Sequence, residues 1–138
     1  MPSLNPYLDF DGTCAEAMAF YKDCLGGELR VMKVGDTPLA AEMPAAVHSR
    51  LMHASLNSGA ITIMASDHLT ADPLDRGNDV TLMLMCSSEA EIRNLFPRLS
   101  AGGTVRTPLK EEFWGAVYGD FTDRFGVRWM MNWDKPEA

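Results

Sequence analysis

Alternating apolar and polar residues, together with two segments of helical periodicity, divide this chain into a repeated series of elements. Apolar residues at every second position predict half-buried strands, and apolar residues three and four positions apart predict helices. Both halves of the chain therefore read as one strand, one helix and three further strands. The first half contains predicted strands at 4–10, 28–34, 50–56 and 60–66 and a helix at 14–25. The second half contains predicted strands at 79–85, 104–109, 115–121 and 127–133 and a helix at 87–103.

The first helix has recognisable start and stop signals. Thr13, followed three residues later by Glu16, fits a capping box in which side chains satisfy backbone N–H groups at the helix start. The glycine pair at 26–27 predicts the end of the helix, because glycine readily adopts positive φ. The predicted buried face consists of Ala17, Phe20, Tyr21 and Cys24.

The two halves match each other at particular residues. A shift of 76 positions aligns the glycine pair at 26–27 with the pair at 102–103, at the same helix-to-strand junction. We therefore predict a single domain, 1–138, with an internal repeat of 1–68 and 77–138. Its fold class is α+β: two βαβββ modules form a curved mixed sheet, with helices on one face and a concave cleft on the other.

Composition narrows the range of partners. The formal net charge is −7, and the hydrophobic fraction of 46% is sufficient for a folded core. An acidic chain argues against binding to nucleic acid or to an anionic membrane surface, both of which attract basic proteins. We also expect no secretory signal and no membrane-spanning helix, since no apolar run approaches about 18 residues.

The three cysteines, at positions 14, 24 and 86, are scattered and odd in number. They form no Cys-x-x-Cys pair, so neither a zinc site nor a disulfide framework is indicated. Packing in a reduced, cytoplasmic protein is the expected role.

Three stretches carry a family resemblance: NPYLDFDGTCAEAMAFYKDCLGGEL, LMHASLNSGAITIMASD and WGAVYGDFTDRFGVRWMMN. With the doubled βαβββ order, the chain resembles the vicinal oxygen chelate superfamily, which includes glyoxalase I, extradiol dioxygenases and bleomycin-resistance proteins. Within it, the chain resembles the PhnB-like branch. The resemblance implies a homodimer and a possible divalent metal site with one ligand from each of four strands.

The residues at those four positions are unsuited to a metal. The resemblance places them at Asn5, at Thr81 or Val80, near Ile63, and at Met130. Neutral oxygen atoms are weak ligands, and aliphatic or thioether side chains do not bind a hard divalent cation. We therefore expect no metal and no other cofactor.

Five residues are candidates for ligand binding in the predicted cleft: Asn5, Tyr7, His53, Trp114 and Tyr118. His53 is also the candidate catalytic residue, because an imidazole titrates near neutral pH. Strand alternation is expected to place His53 on the cleft face with Leu51 and Ser55. For each of these residues, packing or a dimer contact is the alternative interpretation.

Other polar residues are weaker candidates. Asp67 and His68 would form a site with His53 only if the three side chains converge, which their spacing does not require. Asp120 and Asp123 are assigned to the hairpin turn, where aspartate often bonds nearby backbone N–H groups. Trp129 is assigned to the core.

Two functional hypotheses remain at this stage. The first is a metal-free protein that binds a small, partly apolar molecule, as bleomycin-resistance proteins do. The second is a small lyase, isomerase or dioxygenase-type enzyme that uses a displaced divalent metal or His53 as a base. Partners are thus a second copy of the chain and a small molecule, and the ligand itself is unknown.

Overall fold

The computed structural model describes residues 1–137, which fall into two compact units, Met1–Asp75 and Arg76–Ala138. Each unit has the predicted order of one strand, one helix and three strands, which confirms the α+β class. Each unit contains its own four-stranded mixed sheet. The concave cleft and the single-domain arrangement stay predictions. No helix among the described residues has the length and hydropathy needed to cross a bilayer.

The elements of the first unit are β1 (Tyr7–Phe10), α1 (Cys14–Leu25), β2 (Glu28–Lys33), β3 (Leu51–Ser58) and β4 (Ile61–Asp67). The helix packs on one face of the sheet. The strands lie in the order β1-β4-β3-β2, and only the β1–β4 pair is parallel. Three short 3-10 helices occupy the segment between β2 and β3.

The elements of the second unit are β5 (Leu82–Met85), α2 (Glu89–Ser100), β6 (Thr104–Glu111), β7 (Ala116–Thr122) and β8 (Arg128–Asp134). This unit repeats the topology of the first, with strand order β5-β8-β7-β6 and a parallel β5–β8 pair. Ser88 caps α2, because its hydroxyl accepts a hydrogen bond from the Glu91 backbone N–H at 3.1 Å.

The cap predicted for α1 is wrong. Thr13 makes no side-chain hydrogen bond to the helix start. Instead the Asp67 carboxylate, at the end of β4, accepts hydrogen bonds from the Gly12 and Cys14 backbone N–H groups at 2.9 and 3.0 Å. An acceptor distant in sequence thus replaces the local one, which no capping motif could reveal.

The buried face of α1 differs from the predicted face, because it includes Cys14 and Met18 and leaves out Phe20. Met18 is fully buried, whereas Phe20 is only half-buried. The core stripe follows positions 14, 17, 18, 21 and 24, the spacing of residues on one side of a 3.6-residue helix. In the second unit, the core includes Phe96 of α2, in edge-to-face contact with Phe121 of β7.

Candidate functional site

A pocket of about 170 Å³ lies within the second unit. Strands β6, β7 and β8 contribute to its walls, together with the segment just before β5. Four of its seven lining residues are polar or charged, and three are apolar. The lining residues are Thr81, Arg106, Asp120, Phe121, Arg128, Trp129 and Met130.

Alternation along β7 explains which side chains lie on the pocket side of the sheet. A Cβ on Gly119 would lie 2.6 Å from Cε2 of Phe96, so position 119 faces α2. Tyr118 and Asp120 flank Gly119 and therefore project to the opposite face. The Tyr118 hydroxyl donates a hydrogen bond to Oδ2 of Asp120 at 2.9 Å.

Asp120 provides the unsatisfied acceptor of this pocket. Its Oδ1 atom is the one buried side-chain nitrogen or oxygen that lacks a hydrogen-bond partner within residues 1–137. A buried polar atom without a partner costs roughly 1–3 kcal/mol. The assignment of Asp120 to the hairpin turn is wrong, since the residue lies within β7 and its side chain lines the pocket.

The environment of Tyr118 keeps its hydroxyl protonated. Burial raises the pKa of Tyr118 to about 12, and the hydrogen bond to Asp120 and that carboxylate's charge contribute in the same direction. The positive charge of Arg106 opposes the shift in pKa. Tyr118 is therefore a stable hydrogen-bond donor that holds one side of the Asp120 carboxylate.

The pocket combines this carboxylate with two guanidinium groups. Arg106 occupies a β-bulge, because the pairing passes from Val105↔Phe121 to Thr107↔Asp120. A bulge of this kind redirects a side chain, and Arg106 lies at the pocket wall. Arg128 donates one hydrogen bond at 2.6 Å to the Asn78 carbonyl, which anchors its side chain beside the pocket.

In the first unit, two of the predicted ligand-binding residues come together. Nδ1 of His53 lies 3.3 Å from the Tyr7 hydroxyl, and the ring centroids are 5.8 Å apart. Tyr7 remains 49% exposed and His53 is half-buried. When the hydroxyl donates to Nδ1, the neutral imidazole carries its proton on Nε2. In that arrangement, another proton donor would reach Nδ1 of His53 only through the Tyr7 hydroxyl.

Two other predicted positions differ from expectation. Asn5 is exposed and lies ahead of β1, which begins only at Tyr7, because the intervening Pro6 has no N–H for the ladder. Leu51 does not share the open face with His53. It is 1% exposed, since a bulge beside Met32 interrupts the alternation on β3.

Trp114 is separate from the pocket residues. It lies in the turn between β6 and β7, is 57% exposed and packs edge-to-face on the even more exposed Phe113. Of the predicted ligand-binding residues, Tyr118 is therefore the one that touches a pocket-lining side chain in the second unit. A ligand contact at Trp114 stays a prediction.

The hypothesis that Asp67 forms a site with His53 and His68 is wrong for Asp67. Asp67 is 4% exposed, and three backbone N–H groups, including that of Leu51 at 2.9 Å, occupy its carboxylate. His68 instead lies 3.8 Å from a carboxylate oxygen of Asp9. Asp67 is a structural residue.

Asp123 has the structural role that was predicted. It accepts hydrogen bonds from the Phe125 and Val127 backbone N–H groups and from Nε1 of Trp129. Trp129 itself is 2% exposed, as its assignment to the core requires, and one edge of it reaches the pocket wall.

The positions that the resemblance assigns to metal ligands do not fit a divalent cation. Ile63 is 2% exposed and belongs to the core, so the open face of β4 carries Met64 instead. Thr81 and Met130 line the pocket, and a hydroxyl with a thioether is a poor donor set. Within residues 1–137, no group of three or more His, Cys, Asp or Glu side chains is arranged to hold a metal ion.

The cysteines are poorly suited to nucleophilic chemistry. Burial raises the pKa of the Cys14 thiol to about 12 and that of Cys86 to about 11, with smaller contributions from nearby carboxylates. Since the thiolate is the reactive form, neither residue is a nucleophile at neutral pH.

Sequence reasoning did not select Arg106, Asp120 or Arg128 as site residues. Alternation on β7 could have found Asp120, because it shares the face of Tyr118. Arg106 could not be found in this way, because the bulge that redirects it leaves no signature in the local pattern.

Comparison with known proteins assigns the family. The family model described as the glyoxalase/bleomycin resistance protein/dioxygenase superfamily matches residues 3–131. Protein YjdN from Escherichia coli (strain K12) is 32% identical, with 94% of this chain and 93% of that protein covered.

Solved structures share the fold along nearly the whole chain. Protein PA1353 from Pseudomonas aeruginosa superimposes with a TM-score of 0.87 at 41% identity, covering 99% of this chain and 100% of that one. A PhnB protein from Bacillus cereus gives a TM-score of 0.78 at 20% identity, covering 96% and 99%, and at that identity it shows the fold alone.

Proposed function

Because the chain belongs to the glyoxalase/bleomycin resistance protein/dioxygenase superfamily, we propose that it is a metal-free small-molecule-binding protein whose site is the pocket of the second unit. The buried, unpartnered Oδ1 of Asp120 carries this proposal. A fold gains nothing from an orphaned acceptor, whereas a bound molecule with a donor group would satisfy it. Membership of the PhnB-like branch is part of the same proposal and is supported by the similarity to the Bacillus cereus protein.

Filling the pocket tests this proposal. In a thermal-shift screen of EDTA-treated protein, a true ligand at about 100 times its Kd adds about 2.7 kcal/mol to the free energy of unfolding, a rise in Tm on the order of 10 °C. Thr81→Phe should abolish that rise, because the added ring occupies the pocket. Thr104→Phe, on β6 but outside the pocket, should preserve it. Compounds that stabilise both variants equally would place the site elsewhere, and a screen without any ligand would refute the proposal.

The enzyme hypothesis keeps one specific observation in its favour, the contact between His53 and Tyr7. A hydroxyl held by an imidazole is a plausible proton-transfer pair. On this hypothesis, the face of the first unit performs the chemistry, without the four metal positions of the superfamily.

His53→Ala separates the two hypotheses. We expect the free energy of unfolding to change by no more than about 1 kcal/mol, since the side chain is half-buried and makes one long hydrogen bond. Affinity for a ligand of the second unit should be unchanged. Any turnover that the protein catalyses should fall by about 100-fold or more if His53 is the base. Turnover that survives in His53→Ala would clear the residue of a catalytic role.

We propose that the protein is a homodimer. Val80, Met83 and Met85 are between 47% and 68% exposed on and just before β5, an edge strand of its sheet. Exposed apolar side chains along an edge strand are suited to cover by a second copy of the chain.

A cytoplasmic location is likewise a proposal. Within the described residues, Cys14, Cys24 and Cys86 form no disulfide, which is the state expected in a reducing compartment.

A further inference from the structure

The pocket of the second unit has a charge pattern that selects among small molecules. Arg106, Arg128 and Asp120 line it together, so its walls carry two positive groups and one negative group. In the described chain, Asp120 forms no salt bridge with either arginine, although all three line one small volume. The charges are thus held apart rather than paired with each other.

The surrounding charge makes this arrangement unusual for the chain. Arg76–Ala138 carries eight of the twelve Lys and Arg residues and nine of the nineteen Asp and Glu residues, a net charge of −1. Met1–Asp75 carries the remainder, a net charge of −6. The pocket wall is locally positive within an acidic protein, which favours an anionic group at the arginines.

The acceptor on Asp120 imposes a second requirement. Tyr118 donates a hydrogen bond to Oδ2, whereas Oδ1 is buried and has no hydrogen-bond partner. A carboxylate oxygen accepts a charge-assisted hydrogen bond from an ammonium or hydroxyl group. An anion that lacks a donor would leave Oδ1 unpaired and would bring a second negative charge close to it.

Size limits the molecule. A volume of about 170 Å³ is smaller than the roughly 300–1,000 Å³ of pockets that bind drug-sized ligands. The recognised group is therefore small, with any larger remainder of the molecule lying outside the pocket.

We propose that the pocket recognises a small organic anion that carries an ammonium or hydroxyl donor close to its carboxylate or phosphate group. The anionic end pairs with Arg106 and Arg128, and the donor satisfies Oδ1 of Asp120. This inference rests on the proposed function, which it narrows from an unspecified small molecule to one chemical class.

Three acids of nearly equal shape test the inference: alanine with an ammonium group, lactate with a hydroxyl group and propionate with neither. Each is titrated at constant ionic strength, with binding followed by NMR shifts of the arginine Nε–H groups and the backbone amides of β7. Alanine or lactate, or both, should bind at least about tenfold more tightly than propionate, because only they satisfy Oδ1. The stronger of the two identifies the donor.

Variants assign this preference to the side chains. Arg106→Gln should weaken binding of all three acids by about tenfold, whereas Arg93→Gln on α2, outside the pocket, should leave binding unchanged. Asp120→Ala should retain the fold and remove the preference for alanine over propionate, because no side-chain oxygen remains to accept the ammonium proton.

Equal affinities for the three acids, or an Arg106→Gln variant that binds as the wild type does, would overturn the inference. The thermal-shift screen distinguishes this failure from that of the proposed function. If another compound stabilises the wild type but not Thr81→Phe, the pocket binds ligands and only the assigned class is wrong.

Discussion

Replacement of Asp67 by alanine is expected to lower the free energy of unfolding by about 3–5 kcal/mol, enough to unfold a large fraction of the protein. The carboxylate accepts three backbone hydrogen bonds at 2.9–3.0 Å, from Gly12, Cys14 and Leu51. Those N–H groups lie at the start of α1 and the start of β3, where an alanine leaves them without a partner. The negative charge also lies at the positive end of the α1 dipole.

Denaturant titration of matched variants checks this expectation. Asp67→Asn should lower the free energy of unfolding by less than Asp67→Ala does, because the amide oxygen still accepts some of these hydrogen bonds. A smaller loss should remain, because the amide N–H₂ group then faces a backbone N–H. Asp11→Ala removes a nearby exposed carboxylate, paired with Arg50 at 2.8 Å, and should cost at most about 1 kcal/mol. A loss below about 1 kcal/mol for Asp67→Ala would show that Asp67 does not hold the two elements together.

Gly103→Ala is the second substitution with a large expected effect. It should lower the free energy of unfolding by about 3 kcal/mol or more. A Cβ at this position would lie 2.2 Å from the Thr122 carbonyl oxygen and 2.8 Å from two backbone atoms of Asp123. Backbone cannot move aside as a flexible side chain can, so the clash must distort the junction of α2 and β6. Gly27 meets the equivalent obstacle in the first unit, with Asn57 O at 2.2 Å.

Gly59→Ala supplies the matched control. At φ of +60°, Gly59 has a backbone conformation that alanine disfavours by about 1–2 kcal/mol, but nothing lies within 4 Å of its Cβ position. Gly103 has no positive φ, so its substitution measures the steric clash alone. If thermal unfolding of both variants gives equal losses, close backbone packing is not the reason for glycine at position 103.

The first members of the two glycine pairs have matching backbone conformations in the two units. The sequence aligned positions 26–27 with 102–103, and the structure gives Gly26 and Gly102 φ values of 75° and 78°. The second members, Gly27 and Gly103, both approach the backbone at the end of a neighbouring strand. The positive φ of Gly26 and Gly102 is a local backbone constraint, and such constraints leave a trace in the sequence.

The candidate site was less accessible to sequence reasoning. Tyr7 and His53 were predicted to share a face, and they are in contact. Asp120 was assigned to a turn although it lies mid-strand, because aspartate is common in turns and its burial on the sheet face was not visible. Arg106 depends on a bulge whose position follows from pairing with β7.

The sequence by itself determined the order of elements and the α+β class. These features depend on residue type and on spacing between near neighbours, which the chain displays directly. Only the tertiary structure decided that Asp67 holds the start of α1 and that Arg106, Asp120 and Arg128 line one pocket. Those relations join residues far apart in sequence, and strand pairing, with its bulges, sets their geometry.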